Sequence, residues 1–182
     1  MKTMTWREKG YKVIIRLGIT GIALAFVSGL IIVDFYAPTK RIVTIIDGDV
    51  KRVDDDGIVS ATNPADGPTR DVFFIFTKHD DDTLVFRNED TGWGFPFYFK
   101  FNSADVQAEV NSGKNEAQEL MLISYGWRVK LLSMFPNVIG VKKASEASGL
   151  SILRLLAFAV HIGVWGFIAF KFYKWMRWSA EC

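Results

Sequence analysis

Apolar positions form two unbroken blocks near the ends of the chain and short alternating runs between them. The first block, Leu17–Val33, is 17 residues without a charge, about ten of them Leu, Ile, Val or Phe. At 1.5 Å per residue a helix there spans roughly 26 Å, and the shoulder from Val13 brings it to about the 30 Å of a bilayer's hydrocarbon core. Each large apolar residue favours insertion by roughly 0.3 to 0.6 kcal/mol, which outweighs Thr20 and Ser28. The second block is Leu150–Phe172, with Leu155–Phe170 free of Lys, Arg, Asp and Glu. The pattern predicts transmembrane helices over 13–33 and 150–172, a terminal segment 1–12, a tail 173–182 and a central domain 34–149.

The central runs have the period of strands. Arg41–Asp54 places Ile42, Val43, Ile45, Ile46, Val50 and Val53 around Asp47-Gly48-Asp49, as one long bent strand or a hairpin. Asp71–Thr77 and Thr83–Arg87 flank His79-Asp80-Asp81-Asp82, which reads as a hairpin. Phe95–Phe101 sets four phenylalanines against Pro96, Tyr98 and Lys100, which predicts a strand whose Phe face builds the core. Ser103 is placed to cap a short helix over 104–111, and Glu119–Val129 and Asn137–Lys142 supply the last strands. The expected fold is α+β: two transmembrane helices flanking a small antiparallel, OB-like barrel with one short helix, a sandwich being the alternative.

Charge sets the orientation. The central segment carries 13 Lys and Arg against 18 Asp and Glu, and the two ends carry 9 against 2. The basic excess lies beside the apolar blocks, so it argues for membrane topology and against a nucleic-acid partner. Lys2, Arg7, Lys9, Lys12 and Arg16 precede or open the first block, and Lys171, Lys174 and Arg177 follow the second. The positive-inside rule then puts both termini in the cytoplasm of a bacterial inner membrane and the central domain in the periplasm. A signal peptide is the rival for the first block, but Asp34-Phe35-Tyr36-Ala37-Pro38 is a poor cleavage context, so an uncleaved anchor is expected. Cys182 is the single cysteine, so no disulfide forms within the chain.

Chemistry-bearing groups are sparse. Asp54-Asp55-Asp56 and Asp80-Asp81-Asp82 lack the alternate spacing of a calcium loop and read as solvated turns. There is no phosphate loop, paired-cysteine site or zinc-protease helix, so no catalytic residue, cofactor or metal is expected. His161 falls mid-membrane, either as a neutral imidazole bonded to Thr20, Ser28 or a backbone carbonyl, or as a docking point for another subunit. Gly21, Ala25 and Gly29, and Ala159, Gly163 and Gly166, are small residues at helical spacing and candidate packing faces.

Two phrases carry a resemblance: Arg87-Asn88-Glu89-Asp90-Thr91-Gly92-Trp93-Gly94-Phe95-Pro96 running on to Tyr98-Phe99-Lys100-Phe101, and Tyr125-Gly126-Trp127-Arg128 with Leu132-Ser133-Met134-Phe135-Pro136-Asn137. With Asp49-Val50-Lys51-Arg52 and Thr69-Arg70-Asp71-Val72, they resemble a bacterial membrane-anchored family, domain-of-unknown-function family 1523, over about residues 43–142. The resemblance implies an N-terminal anchor and makes the second helix a departure; it assigns no activity and no functional residues. From the residues themselves, Arg87, Glu89 and Asp90 with Arg128 and Lys130 suggest an ion network, and Trp127 beside Arg128 suggests stacking. Trp93, Tyr98, Trp127 and Arg128 are the interaction candidates in the central domain, and His161 in the membrane. The expected function is a non-enzymatic accessory or assembly subunit of a membrane complex. Its partners are the lipid bilayer and other membrane subunits or a second copy. An envelope sensor binding a ligand in an aromatic groove is the alternative, and an enzyme the third.

Overall fold

The computed structural model describes residues 6–54, 57–116, 118–146 and 151–181. Lys2, Asp55, Asp56, Gly149, Leu150 and Cys182 of the features above lie outside the described residues. The chain divides into two units, one of the terminal helices and one spanning Tyr36–Ser151.

The terminal unit holds α1 (Trp6–Tyr36) as far as Phe35 and α3 (Ile152–Glu181), each long and apolar enough to cross a bilayer by length and composition. Both run past the apolar blocks, because Lys, Arg, Glu and Trp at their ends are compatible with continued helix. Their 31 and 30 residues correspond to about 45 Å each. They pair antiparallel along one stripe. On α1 it runs through Ile15, Gly18, Ile22, Phe26, Gly29 and Val33, at steps of three and four residues. Tyr11 Oη donates to the Met176 carbonyl (2.8 Å) at one end of the stripe, and Arg154 pairs with the Asp34 carboxylate at the other.

The second unit is a closed barrel. Its strands are β1 (Thr39–Asp54), β3 (Arg70–His79), β4 (Asp82–Asn88), β5 (Glu119–Tyr125) and β6 (Asn137–Lys143), with a two-residue β2 (Gly57–Ile58) extending the edge at β1. The circuit β1-β3-β4-β6-β5 returns to β1. The Arg41–Asp54 run is one strand: its first half pairs with β5 (Thr39↔Ser124 to Thr44↔Glu119) and its second with β3 (Thr44↔Lys78 to Val53↔Arg70). A bulge between Ile45 and Asp47 turns it from one partner to the other. The expected all-antiparallel order needs one correction, since β4 and β6 pair in parallel at Arg87↔Asn137. The acidic turn joins β3 and β4 with Asp80 at φ 53°, a conformation Asp tolerates.

The barrel core is Val43, Ile45, Ile75, Phe86, Leu120, Leu122, Val138 and Val141, closed by Val106 and Val110 from α2 (Ser103–Asn115). Gly48 lets α2 approach, since a Cβ there would meet the Gln107 amide and lie 3.0 Å from Asn111 Oδ1. The helix is longer than the sequence pattern indicated, and Ser103 is not its cap. Asp90 takes that role, accepting from Ser103 N (2.8 Å) and Oγ (3.1 Å).

Candidate functional site

No strand forms over Phe95–Phe101. Phe97 and Phe99 have φ of 56° and 50°, left-handed values that a bulky residue adopts only under constraint and that interrupt any ladder. The alternation is real, but its faces are reversed. Phe95, Phe97, Phe99 and Phe101 are each more than half exposed and Trp93 is 78% exposed, whereas Lys100 is 4% exposed. The expectation of a Phe-built core is therefore overturned by the side chain that sequence reasoning placed outside.

Lys100 goes inward because every proton on its ammonium finds an acceptor there. It donates to Asn88 Oδ1, to the Val138 carbonyl (2.7 Å) and to the Glu89 carbonyl (3.2 Å). Burial holds its pKa down to about 8, while the Asp90 and Glu89 carboxylates pull the other way. Asn88, fully buried, uses its amide protons on the Ser103 carbonyl (2.9 Å) and Gln107 Oε1 (3.2 Å), tying the lysine to α2. Asn137 receives Glu89 N (2.9 Å) and donates to the Glu89 carbonyl (3.2 Å).

The same lysine closes the loop's neck. Thr91 N and Gly92 N both donate to the Lys100 carbonyl (3.1 Å each), and Lys100 N donates to Thr91 Oγ1 (3.1 Å). Gly92 sits at φ 56°, where the chain reverses into the tip. Beyond the neck the rings form a continuous row. Trp93 contacts Phe101 (centroids 5.2 Å) and Phe99 (5.7 Å), Phe99 contacts Phe97 (6.3 Å), and Phe97 contacts Phe95 (5.6 Å). Phe95 ends on Tyr36 (4.5 Å). Tyr98 points back toward the barrel, stacking on Tyr125 (5.1 Å) and donating its hydroxyl to the Tyr36 carbonyl. Burial and the neighbouring Tyr125 push its pKa up to about 12.

The expected ion network exists in part. Glu89 bridges Arg87 (2.8 Å) and Arg70 (3.3 Å), a partner that sequence reasoning missed because it comes from β3. Asp90 is occupied at the helix cap. Arg128 donates to the Met134 carbonyl (2.9 Å) and lies over the Phe135 ring (4.1 Å). The loop after β5 exposes Trp127, Leu131 and Leu132 alongside Arg128 and Lys130.

In the helical unit, His161 Nε2 lies 3.1 Å from the Phe26 carbonyl, and its ring stacks on Phe26 (5.3 Å). Gly29 admits that ring, since a Cβ would overlap it, and Gly18 does the same for Phe172. Of the small residues named from sequence, Gly29 alone lies on the pairing stripe. Gly21, Ala25, Ala159, Gly163 and Gly166 are on exposed faces, and Gly18, which is on the stripe, was missed. Among the described residues no group of three or more His, Cys, Asp or Glu is placed to hold a metal ion.

These features define a five-stranded barrel protein carrying two long apolar helices and an exposed aromatic loop. The sequence pattern of the family described as "Protein of unknown function (DUF1523)" matches residues 14–179, and the chain belongs to that family. The match includes the second helix, so α3 is part of the family pattern and not a departure from it. An "Uncharacterized protein" of Haemophilus influenzae (strain ATCC 51907 / DSM 11121 / KW20 / Rd) is 44% identical over 113 residues, which cover 62% of this chain and 65% of that protein. The chain thus spans just under two thirds of that relative's length. No solved structure matches.

Proposed function

We propose that this is a non-enzymatic accessory or assembly subunit of a bacterial inner-membrane complex. In this reading α1 and α3 cross the bilayer with both termini in the cytoplasm, and the barrel stands in the periplasm. The observation that carries it is the helix pair. Gly18 and Gly29 are shaped to the Phe172 and His161 rings, and the His161 imidazole meets the Phe26 carbonyl, so α1 supplies half of the stripe on which α3 packs. Cleavage of α1 as a leader would strip that stripe and leave a mid-helix histidine without its acceptor, which in lipid is costly. The polar groups at the loop's neck support a binding role. The Lys100 amine and the Asp90 carboxylate are engaged in holding the backbone and the Glu89 carboxylate in pairing with Arg87 and Arg70, so all three are poorly placed for proton transfer to a substrate.

Reporters fused to each tail and inserted at the acidic turn 80–82 test the topology. Cytoplasmic tails and a periplasmic turn are expected, and one shared compartment overturns it. Extraction in gentle detergent should recover the protein with membrane partners in fixed stoichiometry, whereas a lone monomer in several detergents counts against the subunit role.

A further inference from the structure

We propose that the ring-bearing loop, residues 92–101, is a lipid-binding wedge that seats in the interface of the membrane crossed by α1. The inference deepens the reading above and rests on α1 being a retained transmembrane helix. Its first support is connectivity. Tyr36, the last residue of α1, lies three residues beyond Val33, the end of the uncharged run, which is about 5 Å of helix. Phe95 packs on the Tyr36 ring and Tyr98 bonds its carbonyl, so the loop is held on the first residue of its own unit, where the chain leaves the apolar helix.

The second support is composition. Five large aromatic side chains stand in one exposed row, a surface that a soluble domain does not leave in water. Aromatic rings concentrate at the bilayer interface, where apolar area is covered without a deep cavity.

The third is the neighbouring loop. Tyr125 stacks on Tyr98 and faces Tyr36 (6.3 Å), and the chain leaving it presents exposed Arg128 and Lys130 and, directly after them, Leu131, 94% exposed, and Leu132. An aliphatic tip that follows two cations suits a surface of acyl chains under anionic headgroups. The pinned neck matters too, because rings held by Thr91 and Lys100 lose little further freedom on insertion.

The test uses the full chain with Cys182→Ser, reconstituted into nanodiscs of phosphatidylethanolamine and phosphatidylglycerol with no other protein. A fluorophore is placed on Phe97→Cys, on Leu131→Cys, or on Asn115→Cys at the far end of α2, about 20 Å from Ser103. Nitroxides carried near the lipid headgroups are expected to quench the labels at 97 and 131 several-fold more strongly than the label at 115, with aqueous iodide giving the reverse order. Labels at 97 and 131 as open to iodide as the label at 115 would overturn the wedge. In that event retention of the chain in the disc, measured on the same sample, leaves the two-helix anchor standing. Loss of the chain from the discs would overturn both. Leu131 is nearly fully exposed, so its variant keeps the test valid if Phe97→Cys misfolds.

Discussion

The ammonium of Lys100 donates to the amide oxygen of Asn88, and that contact joins the far side of the aromatic loop to the last residue of β4. The rings are displayed because the lysine between them is withdrawn. Lys100 is buried while its neighbours Phe99 and Phe101 on either side are each more than half exposed.

Lys100→Met keeps most of the stem's volume but leaves Asn88 Oδ1 and the Val138 and Glu89 carbonyls without their donor. Unsatisfied buried acceptors cost about 1–3 kcal/mol each. The barrel should lose about 2 kcal/mol or more, measured by urea unfolding in micelles.

The same lysine gives stability a pH dependence. Its folded pKa is about 8, and an unfolded lysine titrates near 10.4. Across that window the unfolded chain binds more protons than the folded one, so this group's contribution rises with pH, and it is flat below the folded value. The stability gap between the wild type and Lys100→Met should therefore widen as pH is raised from about 8 to about 10. An unchanging gap would refute the depressed pKa.

Tyr98 shifts in the opposite sense. With its pKa raised to about 12 against an ordinary value near 10, its contribution is complete below the ordinary value and is lost as pH climbs through the folded one. An ultraviolet titration should show a tyrosine ionising near pH 12. Tyr98→Phe should remove that late step and cost about 1 kcal/mol for the lost bond to Tyr36.

Phe97→Asn should leave stability within about 0.5 kcal/mol, because the ring is exposed and Asn accepts the left-handed backbone. Phe86→Ala, at a core position 1% exposed, should cost about 3–5 kcal/mol. Comparable losses at the two sites would mean that the loop rings are core after all.

Gly29→Leu should separate α1 from α3, since any side chain there enters the space of the His161 ring, whereas Gly21→Leu and Gly163→Leu point into open space. Disulfide cross-linking between cysteines at Ile22 and Trp165 should fall sharply in the first variant and persist in the other two.

The fold was legible wherever burial and period agree. The apolar blocks, the β3–β4 hairpin and the long β1 run all announce themselves locally, the last as a strand with a bulge between Ile45 and Asp47. The loop misled because period two fixes that two faces exist but not which is inside. Four phenylalanines outweigh one lysine on any hydrophobic scale, and the three acceptors that reverse the choice come from Asn88, Glu89 and Val138, the last of them 38 residues away. Gly18 and Gly29 were obscured similarly. Small residues mark several faces of each helix, and a ring 132 or more residues distant selects which face is used. Arg70 joins Glu89 only because β3 and β4 pair, a relationship absent from the phrase around Glu89 itself.

Strand β1 belongs to both halves of the barrel, and its opening residue Thr39 finds its partner Ser124 only 85 positions later. A ribosome must therefore deliver most of the polypeptide before the circuit can shut. Contacts so distant in sequence are slow to form, and until then the nascent β1 edge lies open to wrong pairing. Newly made chains should depend most heavily on chaperones in this interval.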